Sequence, residues 1–125
     1  MSYTPGMWGV EFTDEFGRWW KTLTADEQES LAASVGLLER LGPHLQRPHA
    51  DTIKGSKHPN LKELRTQHRG RPLRTLYAFD PRRMAILLIG GDKTGDARFY
   101  DRMVPLADRL YHEHLKALKK EGLLP

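Results

Sequence analysis

The period of the apolar positions changes along the chain, and each change marks an element. Trp8, Val10 and Phe12 alternate with small or polar residues, which predicts a short strand. Asp14 to Leu23 predicts a brief helix carrying Phe16, Trp19 and Trp20. Thr24 followed by Glu27 has the form of a capping box, in which the Thr oxygen takes an orphan N–H and the Glu reaches back to the cap. Leu31, Val35 and Leu38 then recur at four- and three-residue intervals, so a helix is predicted over 25–41, stopped by Gly42-Pro43. Prolines, histidines and Gly55 make 43–60 an ordered loop, long enough to be functional. Leu61 to His68 and Leu73 to Phe79 alternate as strands around a turn at 69–72, where Gly70 can take a positive φ. Met84 to Ile89 is an unbroken apolar run, read as a strand buried on both faces at the centre of the sheet and ended by Gly90 and Gly91.

The last third predicts a helix that starts between Asp101 and Pro105, since proline fits a first turn and is costly further in. Leu106, Leu110, His114 and Leu118 form its inward line. The order β-α-α-β-β-β-α indicates an α+β fold: a small antiparallel-rich sheet with two N-terminal helices packed on one face, and a C-terminal helix. With the helices together on one face, the other sheet face is left for function. At 125 residues, 38% of them hydrophobic, the chain fits one domain over 1–125.

Composition narrows the function classes. No cysteine is present, which excludes disulfide scaffolds and zinc–thiolate sites. No apolar run approaches the roughly 20 residues needed to span a bilayer. The opening MSYTPGMWGV lacks the charged-then-apolar order of a signal peptide, so a cytoplasmic protein without a membrane partner is expected.

Charge is spread unevenly. Residues 1–50 hold 4 Lys/Arg and 7 Asp/Glu, whereas residues 51–100 hold 11 and 5. Between Lys54 and Arg74 seven cations, Lys54, Lys57, Lys62, Arg65, Arg69, Arg71 and Arg74, face the single acid Glu63. A localised basic surface of this kind suits phosphate. Strand parity sorts it further: Glu63, Arg65 and Gln67 share one face, and Arg74 shares it from the next strand, near Lys93 in the GGDKT segment. Arg65, Arg74 and Lys93 could cradle one phosphate. On charge alone, a solvated sheet face with blunted edges explains the same residues equally well.

The stretch DTIKGSKHPNLKELR from Asp51 to Arg65, RTLYAFD from Arg74 to Asp80, AILLIGGDKT from Ala85 to Thr94 and VPLAD from Val104 to Asp108 together resemble the RelE/HigB toxins of bacterial toxin–antitoxin systems, specifically their phage Gp49-like branch. The resemblance covers nearly the whole chain. It implies a small endoribonuclease, an mRNA interferase that cuts messenger RNA on the ribosome without a metal or other cofactor. It also implies a helix-turn-helix antitoxin as partner. Arg74 and Lys93 match the family's basic residues at the start of the strand after the hairpin and just beyond the last central strand. Arg65 matches the arginine of the preceding strand.

By the same resemblance Lys54, Lys57 and His58 form a basic loop that contacts RNA or the ribosome. Arg69 and Arg71 at the hairpin tip could grip ribosomal RNA backbone, and Tyr100 follows the Lys93 loop closely enough to stack on a base. For the tip arginines a solvated turn is an equal alternative, and a surface histidine such as His58 is more often incidental. The general base is unassigned, because Tyr100, Tyr111, His112 and His114 lack a secure match. The ParE branch, whose members inhibit gyrase, lacks the basic set; it and a non-catalytic RNA- or protein-binding module are the competing readings.

Overall fold

The computed structural model describes residues 7–124. In chain order the elements are β1 (Val10–Phe12), α1 (Asp14–Thr22), α2 (Ala25–Leu41), a 3-10 turn (Gly42–His44), β2 (Ala50–Thr52), β3 (Lys62–His68), β4 (Arg71–Phe79), β5 (Ala85–Asp92) and α3 (Phe99–Lys120). The five strands form one sheet in the order β1-β5-β4-β3-β2. β1 runs parallel to β5 and every other pair is antiparallel, so the fold is α+β with a mostly antiparallel sheet.

The capping residues behave as their chemistry dictates. The Thr24 hydroxyl accepts from the Glu27 N–H at 3.2 Å, and the Glu27 carboxylate accepts from the Thr24 N–H at 2.8 Å. α2 therefore starts at Ala25, as its sequence predicts. The hairpin turn is tighter than expected: Arg69 and Gly70 both take positive φ, 49° and 80°, so two residues suffice and Arg71 and Pro72 already belong to β4.

Five expectations need correction. The 43–60 segment contains a short strand, β2, which pairs with β3 through Ala50↔Leu64 and Thr52↔Lys62; its residues, Ala50, Asp51 and Thr52, carry no alternating large apolar side chains to mark it. β4, not β5, is the central strand, and β5 continues through Gly90 and Gly91 instead of ending there. Glycine is needed at 90 because the Trp19 ring lies where a Cβ would sit. α3 begins at Phe99, before Pro105; the proline is exposed in the helix interior, where its ring meets solvent and not the sheet.

The last correction concerns the layers. α1 and α2 cover one sheet face, packing Phe16, Leu31 and Leu38 on Leu64, Tyr77, Ala85 and Leu87. α3 covers part of the other, packing Met103, Ala107 and Leu110 on Leu76, Ala78, Ile86 and Leu88. The face expected to be open is thus half occupied. The part of that face outside this core is the β3–β4 corner beside the first turn of α3, where Arg65 is partly exposed and Glu63 is buried.

Candidate functional site

Register brings the first two cations together. Arg65 and Arg74 are direct cross-strand partners, so their side chains leave the sheet on the same face. Glu63, two residues earlier on β3, lies on that face between them and α3. Its side chain is only 4% exposed, which requires its charge to be matched. Oε2 accepts from Arg65 Nε at 3.1 Å, and Oε1 accepts from the Tyr100 hydroxyl at 2.5 Å. Arg74 Nε stands 3.7 Å from the same Oε1, beyond hydrogen-bond reach, and is buried without a partner, while its Nη1 donates to the Leu73 carbonyl at 3.1 Å. Arg65 also reaches Asp51 of β2 at 3.4 Å, and Arg47 shares that carboxylate at 2.7 Å. The hydrogen bond from Arg47 holds the Asp51 carboxyl below the usual carboxylate range.

Lys93 joins this set because of a bulge. The β4–β5 register steps between Leu76 and Tyr77: Leu76 opposes Ile89 while Tyr77 opposes Leu87, which leaves Leu88 as one extra residue on β5. The step moves Ile89 and Gly91 onto the face of Leu76 and Arg74, and Lys93 follows. The Lys93 N–H donates to the Pro72 carbonyl at 2.9 Å, and Nζ lies 5.1 Å from the Tyr100 ring centroid. One face of that ring is therefore already covered by a cation, and a base stacking there must displace Lys93. Burial pushes the Tyr100 phenol up to about 12, with the Glu63 carboxylate adding to the shift and Arg74 opposing it. The hydroxyl stays protonated at neutral pH.

Lys54, Lys57 and His58 sit on the loop before β3, which α3 holds in place. The buried Asp108 carboxylate accepts from the Ser56 hydroxyl at 2.5 Å and from the Lys57 N–H at 2.9 Å, and the His58 N–H donates to Ser56 Oγ at 2.9 Å. The His58 ring packs edge-on against Tyr111 at 4.9 Å. Both lysines are exposed, and neither has an acid within 4.0 Å among the described residues.

The hairpin-tip cations lie apart from this corner. Arg69 pairs with Asp26 at 2.9 Å, and Arg71 pairs with Glu27 and, at 3.3 Å, with Asp92. Both are tied to the start of α2 or the end of β5. Among the described residues no group of three or more His, Asp or Glu side chains converges in a way that could hold a metal. Strand parity places Glu63 beside Arg65, but its bond to Tyr100 joins elements distant in sequence and leaves no local signal. Asp108 leaves none either, because its partners Ser56 and Lys57 lie 52 and 51 residues away in sequence.

Residues 18–112 match the family described as Phage derived protein Gp49-like (DUF891). The chain belongs to the Gp49-like family. HigB3 of Mycobacterium tuberculosis is 46% identical over 93 residues, which cover 74% of this chain and 80% of that one. HigB2 of the same organism is 40% identical over 104 residues, covering 82% of this chain and 52% of that one, so the chain spans about half the length of the latter relative. Both names class those proteins as toxins. The isolated Escherichia coli RelE toxin superposes with a TM-score of 0.55 at 14% identity, covering 89% of this chain and 98% of that one. RelE in the intact E. coli RelBE toxin–antitoxin complex gives 0.52 at 14% identity, covering 67% and 94%. At that identity the likeness is one of fold. This Gp49-like chain is a RelE/HigB-like toxin.

Proposed function

We propose that this toxin is an endoribonuclease that cuts messenger RNA, on the ribosome, by a metal-independent attack of the ribose 2′-hydroxyl on the adjacent phosphorus. The observation that carries this is the pairing of Arg65 and Arg74 across β3 and β4, with Lys93 beside them and a buried Glu63–Tyr100 hydrogen bond beneath. In-line attack forms the O2′–P bond and breaks the P–O5′ bond, leaving a 2′,3′-cyclic phosphate and a 5′-hydroxyl. The phosphorane between them carries extra negative charge, which fixed guanidinium and ammonium groups stabilise without reorganising. Arg74 suits this role because it stands directly across the strand pair from Arg65, with its guanidinium anchored through Nη1 on the Leu73 carbonyl at 3.1 Å.

Proton transfer falls to the remaining groups. The Tyr100 oxygen accepts the 2′-hydroxyl proton as its own proton passes to Glu63, and the Lys93 ammonium supplies one to the departing 5′-oxygen. A relay is required in place of a phenolate, because Tyr100 holds its proton at neutral pH.

The partner in this reading is an antitoxin, as RelB is for RelE in the solved RelBE complex. A helix-turn-helix protein is the form that the Gp49-like resemblance implies. Lys54, Lys57 and His58 contact RNA from the loop.

Primer extension on translated messages, after inducing the wild-type chain or its Arg74→Ala and Lys93→Ala variants in bacteria, tests the proposal. The expected result is discrete cuts with the wild type that the two variants lack. Intact messages together with blocked DNA supercoiling would replace the ribonuclease reading with the gyrase one.

A further inference from the structure

Between the loop that precedes β3 and the outer side of α3 runs a groove of about 780 Å³. Lys54, Lys57 and His58 form one wall, and Arg109 and His112 stand on the other. Val104 and Pro105 give it an apolar floor, and Tyr100 closes one end. The volume falls within the range of roughly 300–1,000 Å³ common to small-molecule sites, enough to take nucleotides.

We propose that this groove is the track for the single-stranded RNA next to the scissile phosphate, and that Arg109 and His112 on α3 are RNA-contacting residues. The inference rests on the ribonuclease reading and extends it to a helix that reading does not use. Continuity is the first reason. Tyr100 lines the groove and donates its hydroxyl to Glu63, so a strand whose phosphate lies on Arg65 and Arg74 reaches the groove over that residue.

Charge is the second reason. Lys54 and Lys57 have no acid partner among the described residues, and Arg109 meets only the exposed Glu113 at 3.8 Å, a contact that water screens. Of the two carboxylates along the groove, Asp108 is consumed by the loop, and Asp101 is exposed at the end nearest Tyr100, where it can accept from a base amino group. Rigidity is the third reason. Through its bonds to Ser56 and Lys57, Asp108 fixes the basic wall at a set distance from α3, so the cations are held in place before RNA arrives. Cations along the walls with apolar and ring surface between them are the combination that holds single strands with little dependence on sequence. An acidic peptide would use the cations and leave the floor unused.

Binding of a fluorescent single-stranded oligoribonucleotide with 2′-O-methyl riboses, which cannot be cut, is measured over a series of salt concentrations. Arg109→Ala is expected to weaken binding about three- to tenfold and to reduce the salt slope by about 0.7, the value of one lost phosphate contact on a single strand. His112→Ala weakens it less. Arg102→Ala, on the same helix but outside the groove, is expected to bind as the wild type does. Arg109→Gln, which keeps much of the stem, serves as a second variant, and thermal melting confirms that each protein is folded.

Equal binding by wild type, Arg109→Ala and Arg109→Gln, with cleavage intact, overturns the groove assignment and leaves the ribonuclease reading standing. Normal RNA binding by Arg109→Ala with loss of an acidic partner protein also overturns it, in favour of a protein-docking face. A wild type that neither binds nor cuts RNA removes both readings at once.

Discussion

The Tyr100 hydroxyl donates to Glu63 Oε1 at 2.5 Å, joining the first turn of α3 to the one buried acid of β3. The bond matters because Glu63 also holds Arg65 through its other oxygen. One carboxylate thus fixes a phenol and a guanidinium relative to each other. Glu63→Gln keeps the shape but removes the charge, and turnover is expected to fall by about 10²- to 10³-fold. Tyr100→Phe should cost a similar factor. Because both act through one hydrogen bond, the double variant should lose little more than the worse single one. Single-turnover cleavage of a model RNA by the four proteins checks this; fully multiplicative losses would show that the two residues act independently.

Arg74 gives a second prediction. Its side chain is only 12% exposed, but Arg65 also compensates Glu63, so Arg74→Ala should cost no more than about 1 kcal/mol of stability. Toxicity should nevertheless vanish. Arg74→Lys keeps the charge without the planar fork and is expected to restore only part of the activity. Growth arrest on induction, read beside the melting temperature of each purified variant, separates loss of function from loss of fold. Full toxicity of Arg74→Ala would mean that the phosphate lies elsewhere.

The parts of this corner that were legible in sequence are those set by local rules. The Thr24–Glu27 box gave the start of α2, and period-two parity put Arg65 and Arg74 on one face. Lys93 is different. Counted along a regular strand from the buried Ile86 and Leu88, it falls on the opposite face, and only the extra residue at Leu88 turns it toward Arg74. A bulge depends on how two strands pair, which no single segment records. The same holds for Asp108, whose role exists only once α3 packs beside a loop distant in sequence, and for the half-covered sheet face, since an amphipathic helix does not state which face it will choose.

Asp108 supports a third prediction. Asp108→Ala leaves the Ser56 hydroxyl and Lys57 N–H without their acceptor, at a cost of roughly 1–3 kcal/mol. The loop carries Lys54 and Lys57, not the Arg65–Arg74 pair, so KM should rise while kcat changes little. Hydrogen exchange at residues 54–58 should quicken in the variant, with the amides of β3 and β4 unaffected. A kcat loss without faster loop exchange would contradict the clip.

Asp80 sets the pH dependence of stability. Its side chain is fully buried at the β4–β5 turn, where burial alone would raise its carboxyl. Hydrogen bonds from Arg82 at 2.8 Å and from His114 at 2.9 Å, with a further one from the Met84 N–H, outweigh burial and hold it below the usual carboxylate range. His114 lies on α3, so this carboxylate fastens the helix to the sheet, and Arg82 extends the network to Glu11 of β1 at 2.6 Å. The folded value lies below that of the unfolded chain, about 3.9. The ionised form therefore contributes stability at all pH above that value, and the contribution is lost as pH falls through the folded value. Asp80→Asn should cost about 3 kcal/mol at pH 7, near the lower end for a broken buried pair because Arg82 and His114 keep some contact with water. The gap between wild type and variant should then narrow as pH falls from about 5 to 2. Urea unfolding at several pH values measures it; a gap that stays constant across that range would mean that folding does not lower the Asp80 carboxyl.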